Sequence, residues 1–477
     1  MEVERKKNLI TYGVTALIFL IMYFVNPTGP ILFVPVVFLI AYIIFTQRFI
    51  EAFVLANLLT FFMIDKTPLN TIYMLTDGVY EILYNESFQW IVFLSFCIGG
   101  LTLLLKNSGS SEALTVFLSK NLKTKKQAQI GIWIIGALFF IEDFLHCMVV
   151  GPATTPLAKN KKISKEMLTY IIKTTGVTFG MLLPMSMWSL FIAEQLEVAG
   201  LAEAGQGTAF YMSIVPFNFF AIATVIISLL VAFGIIPVFG NMKKAEELAK
   251  KGVFSNAEDD EIDEIQTTKS KPRLFNIVIP ILSLVGFTFL LDFDTGTAAV
   301  ITLFITYVLY MAQGLLSPEE FSESVLAGGI KEMAFLFMAV LFGLMFSNGL
   351  EALGFIDYVV ELVSNSNVSG SLLPLLLFIV FSLTEFGAGL AWGLYLIVLP
   401  MIVPIAVSLD ANMALCLGAL MSASGFGMNC GFSSDMSILT SAFTNTNTLK
   451  HNIANLPYQL IAFVIAALGF LIAGYIL

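Results

Sequence analysis

Long apolar stretches alternate with short polar connectors along the whole chain. Runs at 9–25, 30–46, 49–64, 87–105, 168–193, 211–240, 274–291, 295–315, 332–350, 412–440 and 452–475 reach or approach spanning length; a membrane-crossing helix needs about 20 residues. They predict an all-α polytopic membrane protein with about eleven transmembrane helices. Two further apolar stretches, 127–158 and 372–409, fit a different mould. The first run follows Arg5-Lys6-Lys7 and is followed by Asn26-Pro27 without a small-residue cleavage site. It reads as a retained helix, not a removed signal peptide.

The lysines set the topology. Basic residues concentrate on the cytoplasmic side, and clusters stand at Arg5/Lys6/Lys7, Arg48, Lys106, Lys120–Lys126, Lys159–Lys165, Lys243–Lys251, Lys269–Arg273, Lys331 and Lys450. With the N-terminus cytoplasmic, alternating spans put every cluster on that side. Lys173 is expected near the same face, and only Lys66 falls outside. Lysines flank 127–158 at both ends, so that stretch must enter and leave on one face. As a straight helix it would run about 48 Å at 1.5 Å per residue, too long for a roughly 30 Å core. Two arms of about 15 residues fit a re-entrant hairpin opening to the cytoplasm, with Glu142-Asp143 at its tip. A tilted helix with an amphipathic return is the alternative.

The two halves echo each other at a period near 245 residues. Ile141-Glu142-Asp143-Phe144 is answered by Leu383-Thr384-Glu385-Phe386, and Glu112-Ala113-Leu114 by Glu351-Ala352-Leu353. Phe179-Gly180-Met181 is answered by Phe426-Gly427-Met428, with Ser186 opposite Ser433. Five crossings separate the two hairpins, so the second, 372–409, opens outward and the repeats are inverted. The layout is an extra helix in 1–29, repeat 1 over 30–240, a charged cytoplasmic linker over 241–273, and repeat 2 over 274–477.

Composition sharpens the chemistry. Hydrophobic residues make up 58% of the chain and charged ones 12%, so a carboxylate inside a span marks an ion or substrate pathway. Asp143 is the first candidate to bind an ion or proton, then Asp435, with Glu142 and Glu385 behind them. A capping carboxylate at the hairpin break is the bland reading of Asp143. Each half also has an interrupted span, at 174–189 and 422–435, rich in Gly, Pro and hydroxyl residues. Such breaks expose the oxygen donors that a hard cation such as Na⁺ prefers, and half-helix ends add partial charge. Thr154, Thr155, Thr178, Ser186, Trp188, Trp392, Asn429, Ser433 and Ser434 are the candidate lining residues. Asp143 and Asp435 are the candidate Na⁺ ligands. His146, three residues past Asp143, is a titrating or a packing residue. Cys97, Cys147, Cys416 and Cys430 lack metal or disulfide spacing. The net charge of −10 owes much to Glu258–Glu264, and the scattered basic clusters exclude a nucleic-acid partner.

At these residues the sequence resembles the NhaC-type Na⁺/H⁺ antiporter family of the ion transporter superfamily. Phe139-Phe140-Ile141-Glu142-Asp143-Phe144 through Gly151 and Thr155-Pro156-Leu157 is similar to its Phe-Phe-Asp-Asp-Tyr…Gly…Arg-Pro-Leu pattern. Gly389-Leu390-Ala391-Trp392-Gly393, Cys430-Gly431-Phe432-Ser433-Ser434-Asp435 and His451 through Pro457-Tyr458 carry the second half. Departures are Glu142 for the first Asp of the pair, and Gly427-Met428-Asn429 where the family has Gly-Asp-His. The resemblance implies a secondary active transporter by alternating access, with Na⁺ or H⁺ as coupling ion and no other cofactor. Na⁺/H⁺ antiport is the leading activity, and Na⁺- or H⁺-coupled movement of an amino acid or small carboxylate the alternative. The partners are then a lipid bilayer of the plasma membrane, a small cation or organic solute, and a second copy in a homodimer. An intramembrane aspartyl protease, with Asp143 and Asp435 across a cleft, and a passive channel are the competing classes.

Overall fold

A computed structural model describes every residue except 1, 47, 109, 204, 255–272, 293, 333, 366–367, 389–391 and 432–433. Helices form all its regular structure among the described residues. In chain order they begin with α1 Glu2–Phe24, α2 Val34–Thr46, α3 Phe49–Ile64, α4 Pro68–Leu83, α5 Glu86–Asn107 and α6 Ser110–Asn121. Next come α7 Lys125–Leu138, α8 Asp143–Asn160, α9 Lys165–Leu182, α10 Met187–Val198, α11 Gly207–Ile214, α12 Phe219–Ala232 and α13 Gly240–Lys250. Then follow α14 Phe275–Leu290, α15 Thr295–Gln313, α16 Pro318–Ala327, α17 Ala334–Ala352 and α18 Phe355–Ser364. The chain closes with α19 Leu373–Ala388, α20 Trp392–Ser408, α21 Met413–Cys430, α22 Asp435–Thr444 and α23 Thr448–Ile476. The acidic run of the linker lies outside the described residues.

Among the described residues, six helices are long and apolar enough to cross a membrane, or seven with the pair Gly207–Phe217 and Phe219–Ala232, bent by 62°. The predicted spans at 9–25, 30–46, 49–64, 274–291 and 332–350 appear as shorter apolar helices. The molecule is therefore a polytopic membrane protein in which several elements stop short of a full crossing.

The chain divides into two compact units, residues 1–89, 335–368 and 392–409, and residues 90–334, 369–391 and 410–477. In the first, α3 packs on α1, α2 and α4. The Asn57 amide donates to the carbonyls of Phe53 and Phe342, both at 2.9 Å. Lys66, the one lysine off the topological pattern, donates to the carbonyls of Met22 and Val25. Its ammonium thus caps the C-terminal end of α1, where the helix dipole favours a cation.

In the second unit α9 and α21 are the axis. Every residue from Glu166 to Thr178, and every residue from Leu415 to Cys430, is buried. A helix enclosed on all sides belongs to an interior. α7, α8, α12, α22 and α23 pack around α9, while α12, α19 and α23 pack around α21. α13 is pinned beneath them by the buried Glu246, which accepts from the Ser164 backbone N–H at 2.8 Å and from Lys125 Nζ.

A repeat is visible in the element boundaries. α9 and α21 start at 165 and 413 and end at 182 and 430, an offset of 248 at both ends. The same offset relates the starts of α10 and α22 at 187 and 435, and of α5 and α17 at 86 and 334. It also relates Pro152 and Pro156 inside α8 to Pro400 and Pro404 inside α20. This register differs from the one suggested by the short sequence matches. Ser186 corresponds to Ser434, not Ser433, and Glu385 lies inside α19 instead of answering Asp143. Prolines and helix caps are tied to backbone geometry, whereas an isolated acidic match can slide by several residues.

Removing the Glu246 carboxylate strands the Ser164 N–H. Glu246→Ala is expected to cost about 2 kcal/mol, as for hydrogen bonds to a charged group, read as a lowered melting temperature of the purified protein.

Candidate functional site

Three interrupted helices build the site. In the first, α7 starts in a capping box, Thr124 Oγ1 accepting from the Gln127 N–H while Gln127 reaches back. It ends at Phe139, and α8 begins after a short break. Glu142 opens that restart. Its carboxylate accepts from the Leu145 N–H at 2.6 Å, so Glu142 acts as a helix cap. Asp143 is then the first residue of α8, half-buried, and accepts from Trp188 Nε1 at 2.6 Å.

The second interruption follows from Pro184. A residue before proline is pushed out of the helical region, and Leu183 is extended at φ −110°, ψ 141°. The chain restarts at Ser186, which shares a capping box with Ser189. The Ser186 hydroxyl also donates to the Gly180 carbonyl in the last turn of α9. The Met187 N–H donates to the Ile141 carbonyl at 2.9 Å, so this restart is stitched to the first break.

The third interruption repeats the second. Ser434 caps α22 and accepts from the Ser437 N–H at 3.1 Å. Its hydroxyl lies 3.0 Å from the Met428 carbonyl, the counterpart of Gly180, and 2.8 Å from Ser437 Oγ. Asp435 is the first residue of α22 and accepts from the Met436 N–H at 2.7 Å.

α8 and α22 pack with their starts together. Cys147 meets Thr440 at 3.5 Å, and one turn further on a Cβ at Gly151 would stand 2.9 Å from the Phe443 carbonyl. Residue numbers rise together on both helices, so the pair is parallel and Asp143 and Asp435 share one end. The charges of Asp435 and Glu142 are within electrostatic range of Asp143. Two acids thus open two neighbouring half-helices, and the peptide N–H groups there favour negative charge.

The other candidates divide clearly. Trp188 is buried against Asp143, and Ser186 and Ser434 hold the breaks. Thr154, Thr155 and Thr178 donate to carbonyls of their own helices, those of Val150, Gly151 and Thr174. Asn429 is buried, its Oδ1 without a hydrogen-bond partner among the described residues, an acceptor that a water or cation can satisfy. Glu385 is buried on α19 beneath Gly427, where an added Cβ would stand 2.3 Å from the Glu385 Cβ. Ser433 and the side chain of Trp392 lie outside the described residues. His146 is buried with both ring nitrogens facing carbonyls, Phe139 O at 3.2 Å and Ile172 O at 2.8 Å. All four cysteines are buried. Lys173, expected about a turn into its span, is fully buried in α9.

Residues 176–475 match the Na⁺/H⁺ antiporter family. The chain belongs to that family. The matched stretch takes in Ser186, Trp188, Asn429 and Asp435 and begins after Asp143. As a member of the antiporter family the chain is a secondary transporter. An uncharacterized protein of Haemophilus influenzae is 26% identical over 424 residues, covering 82% of this chain and 79% of that protein. The crystal structure of the Alcanivorax borkumensis YdaH transporter has a TM-score of 0.54 at 10% identity, over 84% of this chain and 88% of that one. That likeness is one of fold.

Loss of a serine cap costs about 1 kcal/mol in ordinary helices. Ser186→Ala and Ser434→Ala are each expected to lower the melting temperature by comparable amounts, since the two residues hold equivalent breaks. A large difference between them would argue against that equivalence.

Proposed function

We propose that the protein is a Na⁺/H⁺ antiporter of the plasma membrane, working by alternating access, with Na⁺ and protons occupying the Asp143–Asp435 site in turn. The observation that carries this reading is the pair of half-buried acids opening two parallel half-helices. Like charges in range of each other, with a single indole N–H donor to Asp143 among the described residues, favour uptake of a positive charge. Either a proton or a Na⁺ relieves the repulsion, and each excludes the other. That competition is what exchange requires. Helix N-termini lower the cost of the ionised carboxylates between arrivals. Asn429 and Ser434 belong to the same region as oxygen donors for a hard cation.

The lysine pattern supports a cytoplasmic N-terminus, and the 248-residue repeat supports two halves that rock about a central site. The homodimer belongs to the same proposal and is read out by light scattering of the purified protein. One observation favours a second reading. The starts of α8 and α10 are stitched together and the start of α22 lies beside α8, and helix N-termini also receive carboxylate ligands. Na⁺- or H⁺-coupled transport of an amino acid or small organic acid would use that feature.

Proton movement in sealed proteoliposomes on addition of Na⁺, Li⁺ or K⁺ separates the two. Antiport predicts cation-dependent proton release in wild type and its loss in Asp143→Asn. Folded wild-type protein in tight vesicles without exchange would sink the antiporter, and uptake of labelled carboxylates under a Na⁺ gradient would then establish the second reading. Trp188→Phe keeps the ring but removes the donor to Asp143. It is expected to shift the half-saturating Na⁺ concentration roughly fivefold to tenfold, the equivalent of about one hydrogen bond, while exchange persists.

A further inference from the structure

Lys173 is the only buried lysine among the described residues, and the transport site does not use it. Its ammonium nitrogen lies 2.5 Å from Asn452 Oδ1, 3.3 Å from Ser437 Oγ and 3.3 Å from His451 Nε2. The hydrogen bonds around it fix the direction of each partner. Ser441 donates to the Ser437 carbonyl at 2.6 Å, so its oxygen accepts from His451 Nδ1 at 3.1 Å. With that proton on Nδ1, Nε2 is an acceptor. Ser437 donates to the Gly431 carbonyl at 2.8 Å, which leaves its oxygen lone pairs to accept. The three ammonium hydrogens therefore meet three acceptors. No carboxylate lies within ion-pair distance of Nζ among the described residues. The titratable groups in electrostatic range are His451 and the thiols of Cys147 and Cys430.

An ordinary buried ion pair would put an acid here. The cradle instead offers an amide oxygen, a hydroxyl and an imidazole nitrogen, with the Gly431 carbonyl behind Ser437. The amide and hydroxyl oxygens are neutral donors of the kind a hard monovalent cation accepts, and the imidazole nitrogen accepts a hydrogen bond from an ammonium ion. They come from α22 and α23, while the lysine comes from α9. The positive charge thus joins three helices beside the break at 431–434. Ser437 stands two residues from Asp435, so the cradle lies away from the acid along the turn of α22.

We propose that the Lys173 ammonium is a tethered occupant of a monovalent-cation subsite made by Ser437, Asn452 and His451, distinct from the carboxylate pair. Truncating the lysine opens the subsite to a free cation. The site is a binding property of the folded protein and holds whatever solute is carried.

The test is the melting temperature of the purified full-length protein in choline, sodium and ammonium chloride at equal ionic strength. Asp143→Asn/Asp435→Asn serves as parent, so that the carboxylate pair is silent. In that background Lys173→Ala leaves the cradle open, and Lys173→Met fills it without charge. Lys173→Ala is expected to melt below the parent in choline and to regain at least half of the loss in ammonium or sodium. The parent and Lys173→Met are expected not to respond. Equal responses in Lys173→Ala and Lys173→Met, or none in either, would overturn the proposal. Should Lys173→Ala fail to fold, Asn452→Asp in the wild-type chain decides. A carboxylate facing a charged lysine is expected to hold or raise the melting temperature, and a fall of several degrees would refute a charged occupant.

Discussion

A helix that ends inside an apolar interior leaves backbone groups that need partners. Each terminus exposes up to four N–H or C=O groups, and in a lipid-embedded protein an unsatisfied one costs several kcal/mol. Three such interruptions lie at the candidate site of the second compact unit. At two of them a serine solves the problem for both sides of the break. Ser186 accepts from the N–H of Ser189 ahead of it and donates back to Gly180. Ser434 accepts from Ser437 and faces Met428 behind it. The third is closed by the Glu142 carboxylate. Much of the site geometry descends from these clasps.

Because the breaks are satisfied locally, the half-helices can bring their starts together without leaving polar groups stranded. Asp143 and Asp435 each stand one residue past a cap, on the end of a helix that welcomes negative charge. Trp188, carried in by the second restart, supplies a donor to the first acid. Small residues let the backbones come this close. Gly151 admits the Phe443 carbonyl, and Gly176 leaves room for the His146 ring, which would stand 2.8 Å from an added Cβ. Packing and chemistry are thus set by the same few positions.

The membrane class, the helical architecture and the breaks near 183–186 and 431–434 were legible in the chain, because hydropathy runs, prolines and glycine- and serine-rich interruptions are strong local signals. The role of Glu142 was not, since nothing in a Glu-Asp pair says which of the two will cap. The position of Glu385 was misjudged for a related reason. Its match to the hairpin motif was a likeness of letters, whereas the register is held by serine caps and prolines. Lys173 was placed only by face, about a turn into its span near the basic clusters, and its buried cradle was not foreseen. Its partners Ser437, His451 and Asn452 are more than two hundred residues away in sequence, beyond the reach of any local pattern. The sole hint was a lysine among Thr174, Thr175 and Thr178 in an apolar run.

The 248-residue register means that the chain carries its own alignment. Positions that agree across it belong to the shared frame: Ser186 with Ser434, Ser189 with Ser437, Pro152 with Pro400, Pro156 with Pro404. Positions that disagree mark where one copy departed from its twin. Asp143 falls opposite Ala391, Asp435 opposite Met187, and Lys173 opposite Met421. None of the three charged groups has a charged twin. Ser437 sits on both sides of this divide, an inherited clasp residue that also holds the lysine. The repeated frame therefore supplies the scaffold twice, while Asp143, Asp435 and Lys173 each occur in one copy only.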